Sequence, residues 1–234
     1  MSMSVKFEEY DLRDLVFSKL GPFAFSLYRM ERVRFFVLWL LRRIESDMFR
    51  SGTRRRILQH YHNVYVGAYS YGSCLKPGLL HPGTIVGRYV SMGMNTKIYR
   101  KNHPQKWLSM HPFFFHPRFV DVSNRLSSSP SLVIGHDAWI GDDVTITPNC
   151  NRIGIGAVVG ARSVVTKNVP DFAIVAGVPA EIRDYRFSND LQRTILDSRW
   201  WNLPAEHFTN SINLMSSPFS EESAQALREL TYHE

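Results

Sequence analysis

The stretch IGHDAW IGDDVT ITPNCNR IGIGAV VGARSV VTKNV, residues 134–169, decides the fold. Written in sixes, it places Ile134, Ile140 and Ile146 in one column. One extra residue intervenes before Ile153, Val159 and Val165 resume the count. Four residues after each aliphatic stand Ala138, Val144, Cys150, Ala157, Ser163 and Val169, all small. Gly135, Gly141, Gly154 and Gly160 directly follow aliphatic positions. Upstream, Leu80, Val86, Met92 and Ile98 keep the same spacing, with Thr84, Val90, Thr96 and Asn102 four later. Val66-Gly67 with Ser70 is a further unit, out of phase.

A six-residue period matches neither the 3.6 of a helix nor the 2 of a strand. It matches a solenoid in which each hexad is a short strand plus a turn and three hexads close one triangular coil. The aliphatic residue then fills the interior, and the small residue is expected at a tight corner. Glycine is expected where the backbone is crowded. Stacked coils pair along the axis and leave open edges only at the two ends.

Outward from the repeat, the chain divides into a helical segment over 1–62, a repeat domain over 63–180 and a helical extension over 181–234. Residues 104–132 interrupt the repeat with Pro104, Trp107, Pro112, Phe113, Phe114, Phe115, Pro117 and Phe119, then Ser127 to Ser129. A long excursion from a rigid scaffold is a binding loop or an interface arm. Near the end, Ser188 is placed to cap a helix through Trp200, with Pro204 beyond it. Leu191 and Ile195 would face the coil, and 221–230 form a last short helix.

The chain has 234 residues and a net charge of +7. That charge is local. Residues 29–56 hold nine arginines against Glu31, Glu45 and Asp47, a net of +6, which leaves +1 for the rest. A basic face spread over the whole chain, as nucleic-acid binding would want, is not there. Val33 to Ile44 carries a wide apolar face flanked by Arg29, Arg32, Arg34, Arg42 and Arg43, and Arg54, Arg55 and Arg56 follow. This reads either as a helix packed on the end coil or as an amphipathic helix resting on anionic lipid. The longest apolar run, Phe35 to Leu41, is far short of the roughly 20 residues that span a bilayer. Glu8, Glu9, Asp11 and Asp14 precede it, unlike a signal peptide. The expectation is a cytoplasmic protein, with peripheral contact at the inner membrane face as the variant. Cys74 and Cys150 cannot build a disulfide framework and read as buried thiols.

The hexads together with VVGARSVVTKNVPDFAIVAGVPA, Val158 to Ala180, resemble the hexapeptide-repeat acyltransferases. VGAYSY (Val66–Tyr71), NHP (Asn102–Pro104), DAWIGDDVTI (Asp137–Ile146) and RWWNLP (Arg199–Pro204) are similar to its xenobiotic acetyltransferase branch. That branch includes streptogramin and chloramphenicol acetyltransferases and relatives that act on cell-surface saccharides. The resemblance covers about residues 64–205. It implies a mainly β chain wound as a left-handed parallel β-helix and a homotrimer with active sites in the grooves between neighbours. It also implies acetyl-CoA as acyl donor and no metal.

The resemblance makes His103 the general base that takes the acceptor hydroxyl's proton, a role worth roughly 10²–10⁴ in rate. Asn102 and Trp107 would contact the acceptor. Trp139, Gly160, Ala161, Thr166 and Lys167 would lie along the pantetheine arm and phosphates of CoA. Trp139 is too large for a corner and should point outward, as groove lining or as plain packing. Lys167 is a phosphate contact or a solvated lysine. Glu181 stands where relatives carry a basic residue after VPA, so Arg183, or Arg186, would substitute. A saccharide hydroxyl is the first reading for the acceptor and an antibiotic hydroxyl the second. Two other classes compete. One is a zinc enzyme using His81, His103, His111, His116 or His136, which needs three rigid ligands. The other is a non-catalytic scaffold docked at a membrane.

Overall fold

The computed structural model describes residues 13–115 and 131–231. Three helices come first: α1 (Gly21–Leu27), α2 (Arg34–Ile44) and α3 (Gly52–His62). Then follow β1 (Tyr65–Val66), β2 (Tyr71–Gly72), β3 (Ile85–Val86), β4 (Ser91–Met92) and β5 (Lys97–Ile98). After the excursion come β6 (Val133–Ile134), β7 (Trp139–Ile140), β8 (Thr145–Ile146), β9 (Arg152–Ile153), β10 (Val158–Val159) and β11 (Val164–Val165). A hairpin of β12 (Ala173–Gly177) and β13 (Ala180–Tyr185) ends the strands, and α4 (Asn189–Ser198), α5 (Ile212–Ser216) and α6 (Glu221–Thr231) complete the order.

The strands form three sheets, β1-β3-β6-β9, β2-β4-β7-β10-β12-β13 and β5-β8-β11. Every pair is parallel except β12 with β13. From β3 to β11 each strand pairs with the strand three further on, which is what a three-sided coil requires. The register stacks the hexad positions one above another: Val86 on Ile134 on Ile153, Met92 on Ile140 on Val159, and Ile98 on Ile146 on Val165. These columns form the core, with Ile98 at its partly buried margin. A buried aliphatic side chain contributes about 1.5–3 kcal/mol relative to exposure. The columns therefore hold together two-residue strands that no local propensity would stabilise.

The small residues close the corners from the inside: the amides of Cys150, Ala157 and Ser163 donate back to the carbonyls of Thr147, Gly154 and Gly160. Ala138, Val144, Cys150, Ala157, Ser163 and Val169 are all buried, pointing into the core. One residue before the small position, Tyr89, Asn95, Asp137, Asp143 and Arg162 adopt φ between 54° and 60°. Asn and Asp tolerate this left-handed region better than most residues, so Asn95, Asp137 and Asp143 turn three of these corners without glycine, while Gly156 turns another at φ 61°. Gly135 and Gly141 serve the axial spacing instead. A Cβ on Gly135 would lie 2.5 Å from the Ile155 amide nitrogen of the next coil, and one on Gly141 2.6 Å from that of Ala161.

The segment read as helical holds α1, α2 and α3 joined by turns, with residues 1–12 outside the described set. Two buried ionic groups fix it. The Glu45 carboxylate accepts from the Ser18 amide, the Ser51 hydroxyl, and both the amide and hydroxyl of Thr53. The Arg55 guanidinium donates to the carbonyls of Met48, Phe49, Ser51, Gly67 and Ser70, which ties α3 to the first coil. At the other end, Ser188 accepts from the Leu191 amide and caps α4. That helix stops at Ser198, short of Trp200, because Arg199 turns left-handed at φ 46°. Ile195 is buried with Phe172, Trp201 and Leu227, while Leu191 is only partly covered.

Candidate active site

The chain leaves the three-stranded sheet after β5 and rejoins the coil at β6, in the four-stranded sheet. His103 stands on the outgoing limb, held before Pro104, which restricts it to extended backbone. Its Nδ1 lies 2.6 Å from the Met110 carbonyl oxygen. A carbonyl can only accept, so Nδ1 carries the proton and Nε2 keeps its lone pair for a substrate. Phe115 meets the imidazole edge to face, ring centroids 5.5 Å apart at 82°. The loop thus fixes both the tautomer and the tilt of an exposed histidine. Nothing in the sequence marked Met110 for this, since its carbonyl acts and any residue could supply one.

Asn102 and Trp107 flank His103 at the surface, and the Trp107 amide closes a turn onto the Pro104 carbonyl. Thr166 and Lys167 lie just past β11, two coils along from Tyr99 and on the same border of the three-stranded sheet that His103 leaves. Gly160 and Ala161 lie at that sheet's other border, following β10. Trp139 points outward, 58% exposed, but from the six-stranded sheet, between Ser91 and Val158 in register. Within one chain, His103 thus follows a strand of the three-stranded sheet, whereas Trp139 stands on the six-stranded one. Arg183 is exposed on β13, its guanidinium reaching towards Gly177. Arg186 is not available as a substitute. It donates to the Asp137 carboxylate at 3.0 Å and to the Gly156 carbonyl at 2.9 Å.

Other nucleophiles and bases are engaged in the fold. Burial pushes the Cys74 thiol up to about 12 and the Cys150 thiol up to about 11, where neither is a useful thiolate. His111 accepts from the Phe113 amide, and His116 lies outside the described residues. No group of three His, Cys, Asp or Glu side chains that could hold a metal occurs among the described residues. His136 stacks on Trp201 at 5.1 Å and accepts the Arg88 amide on Nδ1. Burial, then the Arg88 charge, pushes it down to about 4.

The sign of the linkage follows. The unfolded histidine takes up its proton near pH 6.5, before the folded one does. Stability is therefore full above that pH, falls between about 6.5 and 4, and levels off below. We expect a loss of up to about 3 kcal/mol across this window in urea titrations. The His136→Asn variant should show a flatter profile there; an unchanged slope would assign the dependence to other groups.

No family model matches the chain. A chloramphenicol acetyltransferase of Agrobacterium fabrum is 34% identical over 166 residues, covering 67% of this chain and 79% of that protein. A putative lipopolysaccharide biosynthesis O-acetyl transferase of Escherichia coli is 47% identical over 58 residues, covering 25% of this chain and 29% of that protein. Among solved structures, a hexapeptide-repeat acetyltransferase of Vibrio cholerae complexed with acetyl coenzyme A is similar at 22% identity with a TM-score of 0.33. The match covers 53% of this chain and 60% of that one. The stacked hexads and the extent of the first match define an acetyltransferase. The chain belongs to the hexapeptide-repeat acyltransferases, in the branch that contains the chloramphenicol acetyltransferases.

Proposed function

We propose that this enzyme transfers the acetyl group of acetyl-CoA to a hydroxyl of a saccharide, with His103 as general base. The observation that carries the reading is the bond from His103 Nδ1 to the Met110 carbonyl, which leaves Nε2 as acceptor. The acceptor oxygen attacks the thioester carbonyl as its proton passes to Nε2. The tetrahedral intermediate collapses, the C–S bond breaks, and the imidazolium returns the proton to the departing thiolate. Trp139, Gly160, Ala161, Thr166 and Lys167 would hold the pantetheine arm and phosphates, with Arg183 offsetting Glu181 at the nucleotide end. Asn102 and Trp107 would meet the acceptor.

Within one chain His103 follows a strand of the three-stranded sheet and Trp139 stands on the six-stranded one, which supports a site completed by a neighbour in a homotrimer. Family membership supports a left-handed winding of the coils. A cytoplasmic setting fits the acyl donor. The second reading, acetylation of an antibiotic hydroxyl, is favoured by the long match to chloramphenicol acetyltransferase. An acceptor screen with acetyl-CoA, following free thiol, separates them. Turnover with sugars or nucleotide sugars but not chloramphenicol supports the first reading. Turnover with chloramphenicol alone establishes the second. Failure to bind acetyl-CoA overturns both.

A further inference from the structure

The helical segment carries a surface that the acetyl-transfer reading does not use. Helix α2 buries Val37 and Leu41 against α1 and α3, as an amphipathic helix should. Its opposite face is not polar. Phe35 is 83% exposed, Phe36 52% and Trp39 46%, and Phe36 and Trp39 stack with centroids 5.7 Å apart. Helical spacing sets Arg32, Arg42 and Arg43 on this same face, all exposed, with the Arg43 guanidinium 5.2 Å over the Trp39 ring.

The basic segment is thus sorted by the fold. Arg55 is turned inward, Arg54 reaches the Leu38 carbonyl, and Arg34 and Arg50 bond to Glu31, Asp47 and Glu206. Among the described residues, Arg32, Arg42 and Arg43 form no ion pair. Arg29 and Arg56 are also exposed without an ion pair, Arg56 over the Phe17 ring, so three of the five arginines left to solvent stand beside the α2 aromatics.

We infer that this face docks the enzyme on an anionic lipid bilayer. Phe and Trp insert at the level of the headgroups, while arginine stems lie along the apolar surface and keep their guanidinium groups at the phosphates. A second copy of the chain is a poor occupant, because apposing two such faces would bring six arginines together, and the one carboxylate beside them, Glu31, is already paired with Arg34. Helix α2 lies on the bilayer and does not enter it: at 11 residues it is far too short, and no helix among the described residues is long and apolar enough to cross a membrane.

The test is co-sedimentation of the full chain with vesicles of phosphatidylcholine alone or mixed with phosphatidylglycerol. Binding is expected only to the mixed vesicles and should weaken as salt screens the charges. A triple variant Arg32→Gln, Arg42→Gln, Arg43→Gln should bind about a hundredfold more weakly. The variant Phe35→Ser, Phe36→Ser, Trp39→Ser should lose binding, with an unchanged circular dichroism spectrum because these side chains are exposed. Equal binding to both vesicle types, or wild-type binding by either variant, would overturn the proposal. So would a wild type that ignores vesicles but loses oligomer size on aromatic substitution, which would make the face a contact between copies. Acetyl-CoA affinity, measured in parallel, tests the enzymatic reading separately and should be the same in all three proteins.

Discussion

His103→Ala should lower kcat/KM by a factor of about 10²–10⁴ while leaving acetyl-CoA affinity and the unfolding midpoint unchanged. The three readouts belong together. The imidazole is exposed, so its loss removes little packing. Its one hydrogen bond releases the Met110 carbonyl to water, at almost no cost in stability. The residues expected to hold CoA lie on the coils, away from the loop, and do not depend on His103. On the proposed mechanism, what disappears is the base that takes the acceptor proton as the C–O bond forms. A variant with full activity would remove His103 from the mechanism. A variant that fails to bind acetyl-CoA would make it a binding residue. His103→Gln cannot restore the rate, because an amide does not accept a proton near neutral pH.

The second large effect concerns Arg88. Its side chain is 1% exposed and pairs with the Asp14 carboxylate, itself 3% exposed. The guanidinium also donates to the Trp201 and Leu203 carbonyls and lies over the rings of Tyr69 and Tyr89. Arg88→Met keeps volume but leaves the buried carboxylate with only the half-exposed Arg13, 3.3 Å away, as counter-charge. Removing one partner of such a pair costs about 3–5 kcal/mol. We expect this loss in urea unfolding, with activity per folded molecule retained. Adding Asp14→Leu should recover part of it, since the double variant no longer buries the carboxylate. If the double variant were as unstable as the sum of the two single variants, the pair would carry no coupling.

The interior of the solenoid was legible because its constraint repeats. Ile134, Ile140 and Ile146 face one axis, and one misplaced polar residue in the column would be felt. Corner chemistry was less so. The small residue four along closes the bend as expected, but the left-handed residue just before it, Asn95, Asp137 and Asp143 at three corners and Tyr89 and Arg162 at two others, follows no single residue type. Arg88 and Arg55 were invisible as core residues, because arginine patterns with the surface and only tertiary contact reveals the carbonyls that satisfy it. At the site, a histidine before a proline could be found in the sequence, but its partner, a backbone oxygen seven residues on, could not.

Arg88 has a mechanical consequence as well. It gathers residue 14, the second coil and residues 201–203 at one buried point, while Arg55 stitches α3 to the first coil. These two arginines tie the helical segment to the coils as an outrigger. A bilayer that holds the face of α2 would therefore set the attitude of the whole stack. The height of His103 above the headgroups would then be a constant of the fold, and only acceptors presented at that height would reach it.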